Sequence, residues 1–358
     1  MPTTTVTSTN HRALQSIADT IYSSKRILVI TGAGISTNSG IPDFRSTHGL
    51  YNLVKSRYPP SISSNSISAG KDLFNSSLFT DPTSTSIFYS FLAELRERVL
   101  RVKDTTPTHK FIRTLAESGR LLRCYTQNID GLEGREGLAT DLSLGAAVNS
   151  KKRKRYSIAG VVQLHGELDT LRCMHCQGTC EYDNDRVAAL MDGRAPDCPS
   201  CVFKDRERRE AGKRGTRVGG LRPNIVLYDE EHPQGDVIGR ITSADLKSGP
   251  DMMIIFGTSL KVHGLKRLVK EFAASIHARN AARKSSTSAE DGGKEITGDG
   301  KPAKQETLRV VFVNNQPAAN SVWKDTIDAW VDMDCDEFVA EIKHRRPAVW
   351  ERQERLEA

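Results

Sequence analysis

Short, continuous apolar runs recur along the chain at Arg26 to Thr31, Leu121 to Thr126, Val161 to Leu164, Asn224 to Leu227, Met252 to Gly257 and Leu308 to Asn314. Runs this short, with no apolar–polar alternation, are the pattern of strands covered on both faces, as in a parallel sheet. Between several of them the apolar positions return at helical spacing, over Ile87 to Val102, Thr108 to Ser118 and Leu265 to Arg279. The alternation predicts an α/β fold on a doubly wound, Rossmann-like parallel sheet. Residues 1–23 read as a polar tail entering a helix at His11 to Ser23.

Three stretches interrupt the pattern. Residues 45–74, rich in Ser and Pro, read as a loop that covers something. Residues 133–160 are irregular and carry the basic run Lys151-Lys-Arg-Lys-Arg155. Residues 282–306, a Ser, Gly and Lys segment without apolar periodicity, are expected to form a disordered insertion. There is no internal repeat. The expected organisation is one discontinuous core domain, 24–170 and 221–346, interrupted by a small module at 171–220.

Composition narrows the picture. With 358 residues the chain can bury a substantial core. Its longest purely apolar runs, such as Met252 to Phe256 and Val310 to Val313, fall far short of the ~18 residues a membrane span needs, so no membrane partner is expected. Met1 to Arg12, rich in Thr and Ser, has no apolar core of a secretory signal, which points to an intracellular protein. The net charge of +7, from 51 Lys+Arg against 44 Asp+Glu, is modest, and its placement matters more. Lys151 to Arg155 reads as a nuclear import signal or as a contact to DNA phosphates, with a solvated loop as the plain alternative.

Seven cysteines in such a chain argue against a disulfide framework. Cys173-x2-Cys176 and Cys198-x2-Cys201 stand 21 residues apart. Each turn can aim two thiolates at one point, and four complete the tetrahedral shell of one Zn2+. With no open position the site would be structural, contributing about 10–16 kcal/mol to folding of the module. Cys180 and His175 are competing ligands, and Cys124 reads as core.

Gly32-Ala-Gly-Ile-Ser36 directly after a strand offers backbone amides to a phosphate. Alone it is equally a tight turn, since Thr37 stands where the usual dinucleotide fingerprint has its third glycine. Its neighbours change the reading. Gly32 through Ile41-Pro-Asp-Phe-Arg45, Thr126-Gln-Asn-Ile-Asp130, Leu164-His-Gly166, the two CxxC pairs and Gly257-Thr-Ser-Leu260 occur in the order found in the sirtuins. The chain closely resembles that family of NAD-dependent protein deacylases from about Ser24 to Lys343. The basic insertion, together with Tyr228-Asp229 where many relatives carry Phe-Gly, is similar to the fungal nuclear branch that deacetylates core histones.

The resemblance implies a reaction in which the acetyl oxygen of an acetyl-lysine attacks the nicotinamide ribose of NAD, giving free lysine, nicotinamide and O-acetyl-ADP-ribose. It implies His165 as general base and Asn128 and Asp130 as its catalytic companions. Asp43 and Asn128 would read the nicotinamide carboxamide and its ribose, and Gln127 and Asp130 would complete that wall. Gly32, Ala33, Gly34 and Ser36 would meet the pyrophosphate, Arg45 would neutralise it, and Phe44 would shield the reacting carbon from water. Gly257, Thr258 and Ser259 would contact the adenosine ribose, with Asn314 and Cys335 beside the adenine. The acyl-peptide would lie as a strand between Val226 and Tyr228 on one side and Val262, His263 and Gly264 on the other. Its implied partners are acetylated histones or other acetyl-lysine proteins in the nucleus, with a nucleosomal DNA contact through Lys151 to Arg155. Two other function classes stay open: a mono-ADP-ribosyltransferase using the same NAD site, and a non-catalytic chromatin-binding module that keeps the fold and the zinc.

Overall fold

The computed structural model describes residues 3–47, 49–57, 70–142, 160–290 and 307–351. Its main sheet has seven strands, all parallel, in the order β1-β10-β9-β8-β2-β3-β4. The central strand is β2 (Ile27–Thr31), fully buried and paired on one side with β3 (Leu121–Thr126) and on the other with β8 (Met252–Phe256). β4 (Val161–Gln163) extends the β3 side, and β9 (Val310–Val313) the β8 side. Branched and apolar side chains suit strands buried on both faces, so the apolar runs became sheet for the reason that made them legible.

Helices cover both faces. α1 (His11–Ser23), α4 (Pro107–Glu117) and α11 (Cys335–Arg345) enclose one core cluster with the sheet, with Leu14, Ile17, Phe111 and Phe338 inside it. α8 (Gly235–Lys247), α9 (His263–Glu290) and the short α10 (Asn320–Trp323) enclose the second, around Leu28, Tyr125, Phe272 and Phe312. Capping marks the starts. The Asn10 side chain accepts from Ala13 N at α1, and Asp81 accepts from Ser84 N at α3 (Pro82–Arg101), which has proline in its first turn. Strand β3 is tied to α8 by a buried ion pair: Arg123 donates to both carboxylate oxygens of Asp245 at 2.9 and 3.0 Å, and Tyr125 OH donates to the same group at 2.7 Å.

A third cluster joins α2 (Leu50–Arg57) and α3 to a small module. There β5 (Gly166–Cys173) lies antiparallel between β6 (Thr179–Glu181) and β7 (Leu221–Ile225), with α6 (Asn184–Met191) and α7 (Pro199–Glu210) alongside.

Four sequence expectations are corrected. The polar tail contributes a strand: β1 (Thr4–Val6) forms the sheet edge and pairs with β10 (Ala329–Val331), both too short to show as apolar runs. The run at Asn224 to Leu227 is not part of the parallel sheet; it straddles the end of β7, and Leu227 turns into the cluster beneath the module. The loop 45–74 contains α2 and a 3-10 turn at Gly70–Phe74. Helix α9 continues to Glu290, into the stretch read as an insertion. Residues 291–306 and the run Lys151 to Arg155 lie outside the described residues. Within 133–160, α5 (Leu132–Arg135) and a bridge between Ala139 and Gly160 are in place.

Candidate functional site

In a doubly wound sheet ligands collect at the carboxyl ends of strands, where the winding direction reverses. Here that point lies between β2 and β8. Gly32 N donates to Phe256 O at 3.0 Å and Gly34 N to Gly257 O at 2.8 Å, so the two turns touch backbone to backbone. A Cβ at Gly32 would meet Gly257 O at 2.7 Å, and one at Gly34 would meet Gly257 Cα at the same distance. Gly257 itself has φ +56, the left-handed region that glycine tolerates. Ala33 begins the 3-10 turn that follows Gly32.

Strand β3 delivers the next group. Gln127 Nε2 donates to Thr31 O at 3.1 Å and Thr258 Oγ1 at 2.8 Å, locking three strand ends together. His165, just past β4, donates from Nδ1 to Gln127 O at 3.0 Å. That bond selects the tautomer with a free lone pair on Nε2. Burial lowers the pKa of this ring, so it is neutral at pH 7. Gly166 follows at φ +74, and a Cβ there would stand 2.2 Å from Asn224 O. Gly166→Ala is therefore expected to cost at least about 1–2 kcal/mol from the left-handed backbone alone and more from the clash, and to displace His165. Chemical denaturation and turnover measured on the same variant check this.

Asn128 is 2% exposed. Its Nδ2 donates to Ser36 Oγ at 3.4 Å, while its Oδ1 has no hydrogen-bond partner. A buried carbonyl oxygen left open is costly and marks a place kept for a donor. Ser36 donates in turn to Asp130 Oδ2 at 2.7 Å, and Leu132 N donates to Asp130 Oδ1 at 3.1 Å. Burial, and then the neighbouring Glu133, push the Asp130 carboxyl up to about 6.

The other expected residues have local partners of their own. Asp43 Oδ1 accepts from Arg45 N at 3.0 Å and Ser46 N at 2.8 Å, so it shapes the loop it sits in. Phe44 packs edge-on against Tyr51 and Phe74, with ring centroids 5.8 and 5.3 Å apart, and the Arg45 guanidinium lies 5.7 Å from the Tyr51 ring centre. Thr258 is buried and Ser259 exposed. Asn314 follows β9 and bonds through Nδ2 to Gln316 O at 2.8 Å. Cys335 is buried at the start of α11, its thiol pushed well up by burial, with Sγ 3.8 Å from Val313 O. Val226 N donates to His165 O at 2.8 Å. Tyr228 pairs through its backbone with Phe74 and Ser76, and Asn75 Nδ2 donates to Asp229 at 2.6 Å. Val262 is half-buried, and His263 and Gly264 are exposed at the start of α9.

The thiols of Cys173, Cys176, Cys198 and Cys201 lie within 4.8 Å of one another. The Cys173–Cys201 and Cys176–Cys198 sulfur separations are 3.9 and 3.7 Å. A zinc–sulfur bond of about 2.3 Å gives a tetrahedral edge of about 3.8 Å, so the four form the donor set of a structural zinc. His175 N and Cys176 N donate to Cys173 Sγ at 3.3 and 3.4 Å. Neither Cys180 nor the His175 ring belongs to the set.

Sequence reasoning missed the layer behind Asp130: His109, Glu133 and Thr106, all buried. Thr106-Pro-Thr-His109 starts a helix as countless surface segments do, and a buried glutamate in Leu132-Glu-Gly-Arg135 carries no signal that separates it from a solvated one.

Comparison with known proteins now decides the family. The Sir2 family model matches residues 32–147 and 150–264. The NAD-dependent histone deacetylase HST3 of Saccharomyces cerevisiae is 39% identical over 349 residues, 96% of this chain and 70% of its own. The chain belongs to the Sir2 family. Another Sir2 relative, the NAD-dependent histone deacetylase HST3 of Candida albicans, is 40% identical over 347 residues, and the NAD-dependent protein deacetylase hst4 of Schizosaccharomyces pombe is 39% identical over 268. The chain covers 64% and 60% of those two proteins. Among solved structures, a Sir2 homologue complexed with NAD has a TM-score of 0.61 at 21% identity, covering 97% of this chain and 98% of that one. Sir2 with a p53 peptide and NAD+ has 0.58 at 24%, covering 92% and 97%. At these identities the likeness establishes the Sir2 fold. The matched segments contain His165, Asn128, Asp130 and the four zinc cysteines, whereas Asn314 and Cys335 lie beyond them.

Proposed function

We propose that the chain is an NAD-dependent protein lysine deacetylase acting on acetylated histones. The observation that carries this reading is a pair of open acceptors on adjoining strand ends: Nε2 of a neutral His165, whose Nδ1 bonds Gln127 O, and the partnerless Oδ1 of the next residue, Asn128. The names of the curated relatives support both the reaction and the histone substrate.

The pocket suits NAD at each end. The Gly32–Ala33–Gly34 turn and Ser36 would take the pyrophosphate, with Arg45 supplying positive charge from the loop above. Gly257, Thr258 and Ser259 would take the adenosine ribose, with Asn314 and Cys335 toward the adenine. When bound, NAD supplies a nicotinamide leaving group and the ribose carbon that receives the acetyl oxygen. Asn128 Oδ1 accepts a hydrogen bond from the carboxamide or a ribose hydroxyl, beside Asp43, Gln127 and Asp130. His165 Nε2 takes the proton of a ribose hydroxyl, being neutral at pH 7 and oriented by Gln127. Phe44, backed by Tyr51 and Phe74, closes an apolar wall that keeps water from the reacting carbon. The acetyl-lysine peptide runs between Val226–Tyr228 and Val262–Gly264, bonding mainly through its backbone. Release of nicotinamide that requires both NAD and an acetyl-histone peptide tests the reading; release from NAD alone, unaffected by peptide, contradicts it.

Lys151 to Arg155 serves nuclear import or nucleosomal DNA contact. Replacing all five with Gln is expected to reduce nuclear accumulation, or to weaken nucleosome binding severalfold with a flatter salt dependence, while peptide turnover stays within about twofold. Imaging and binding titrations at two salt concentrations check it.

A further inference from the structure

Behind the pocket wall three titratable side chains meet out of reach of solvent. His109 of α4, Asp130 and Glu133 place their donor atoms within 4.8 Å of one another and are 0, 5 and 1% exposed. The His109 ring is committed on one side. Thr106 Oγ1 donates to Ile35 O at 2.9 Å, which leaves that oxygen to accept the His109 Nδ1 proton at 2.8 Å. Nε2 then carries a lone pair, and it has no partner. Two buried carboxyls facing an open nitrogen acceptor form an arrangement that holds one proton readily. Both carboxyls charged, with no compensating proton, would be costly at this burial.

The cluster reaches the pocket by one route. Ser36 gives its proton to Asp130, so its oxygen is left to accept the Asn128 amide NH2. That choice leaves Asn128 Oδ1 as the unpartnered acceptor of the amide. Were Asp130 protonated, Ser36 could reverse its hydroxyl and the amide would lose its fixed sense.

We propose that His109 and Glu133 are positioning residues that share one proton with Asp130 and thereby hold the Asn128 amide with its oxygen toward the NAD pocket. The proposal rests on reading that pocket as the NAD site. Other charged or titratable groups around the cluster are few. Asp336 at the start of α11 accepts from Thr108 at 2.6 Å, and Glu136 accepts from Thr105. Cys124 on β3 is held as a neutral thiol by burial, and His165 stands beyond Gln127. The signs of the couplings are opposed: Glu133 raises the Asp130 carboxyl, whereas His109 lowers it.

Carboxyl carbon NMR on the zinc-loaded full chain, labelled at aspartate and free of NAD, reads this directly, with Asp130 assigned by its loss in Asp130→Asn. The Asp130 midpoint is expected to fall by about one unit in Glu133→Gln and to rise by about one unit in His109→Gln. The acid limb of NAD-dependent deacetylation should move the same way in each variant, with KM for the peptide unchanged. A merely structural role predicts lower stability and no opposed shifts. Unmoved midpoints in folded variants overturn the proposal, and if one variant fails to fold, the direction of shift in the other decides. A wild-type chain that lacks NAD-dependent deacetylation yet shows both carboxyl shifts would sink the reading of the pocket and leave the shared proton standing.

Discussion

His165→Ala is expected to lower turnover by about 10²–10⁴-fold while NAD affinity stays within a few-fold of wild type. The separation of the two effects follows from geometry. His165 is held by one bond from Nδ1 to Gln127 O, and Gln127 keeps its own bonds to Thr31 and Thr258 without it. The turns of Gly32 to Gly34 and of Gly257 interlock through their backbones, independently of the imidazole. Removing the ring therefore deletes a proton acceptor and leaves the dinucleotide cradle intact. Steady-state kinetics with NAD calorimetry checks it. Unchanged turnover, or a loss of NAD binding as large as the loss of rate, removes His165 from the role of base.

Cys173→Ser is expected to release the zinc and unfold the module. The apparent free energy of a four-thiolate zinc, about 10–16 kcal/mol, is as large as the whole stability of an ordinary domain. The metal site is built into the core of the module. Cys173, Cys198 and Cys201 are themselves part of the apolar cluster, alongside Leu168, Leu171, Leu190 and Leu221. The same cluster reaches α3 and Leu227, next to Tyr228 on the proposed peptide side, so that side of the site should fail with it. Zinc analysis should fall from one per chain toward zero, with a broad, early thermal transition. A variant that keeps its zinc and melts like wild type refutes the ligand set.

How much of this was legible in the sequence follows from how each feature is held. Strands β2, β3, β8 and β9 are buried on both faces, and burial on both faces writes itself as an uninterrupted apolar run. Strand β1 needs only Val6 in the core, and β10 takes its register from β9, so neither leaves a pattern of its own. The Asn224–Leu227 run misled because Leu227 serves the cluster below the module and not the sheet. Cysteine spacing was readable because four ligands at one metal demand it, and here the thiols do converge. The family order put Asp43, Phe44 and Arg45 among the expected NAD residues, but the turn that Asp43 caps was not legible in it. The proton-sharing layer was invisible: burial alone makes His109 and Glu133 unusual, and burial is a property of the assembled fold.

The central claim is that the pocket uses NAD to remove an acetyl group from a lysine. Mass spectrometry of the protein with NAD and an acetylated histone peptide tests it most directly. The account predicts that the peptide loses the mass of its acetyl group and that O-acetyl-ADP-ribose appears, both only when NAD is present. Stable transfer of ADP-ribose to protein with the acetyl-peptide intact, or an unaltered peptide and unconsumed NAD, would contradict it.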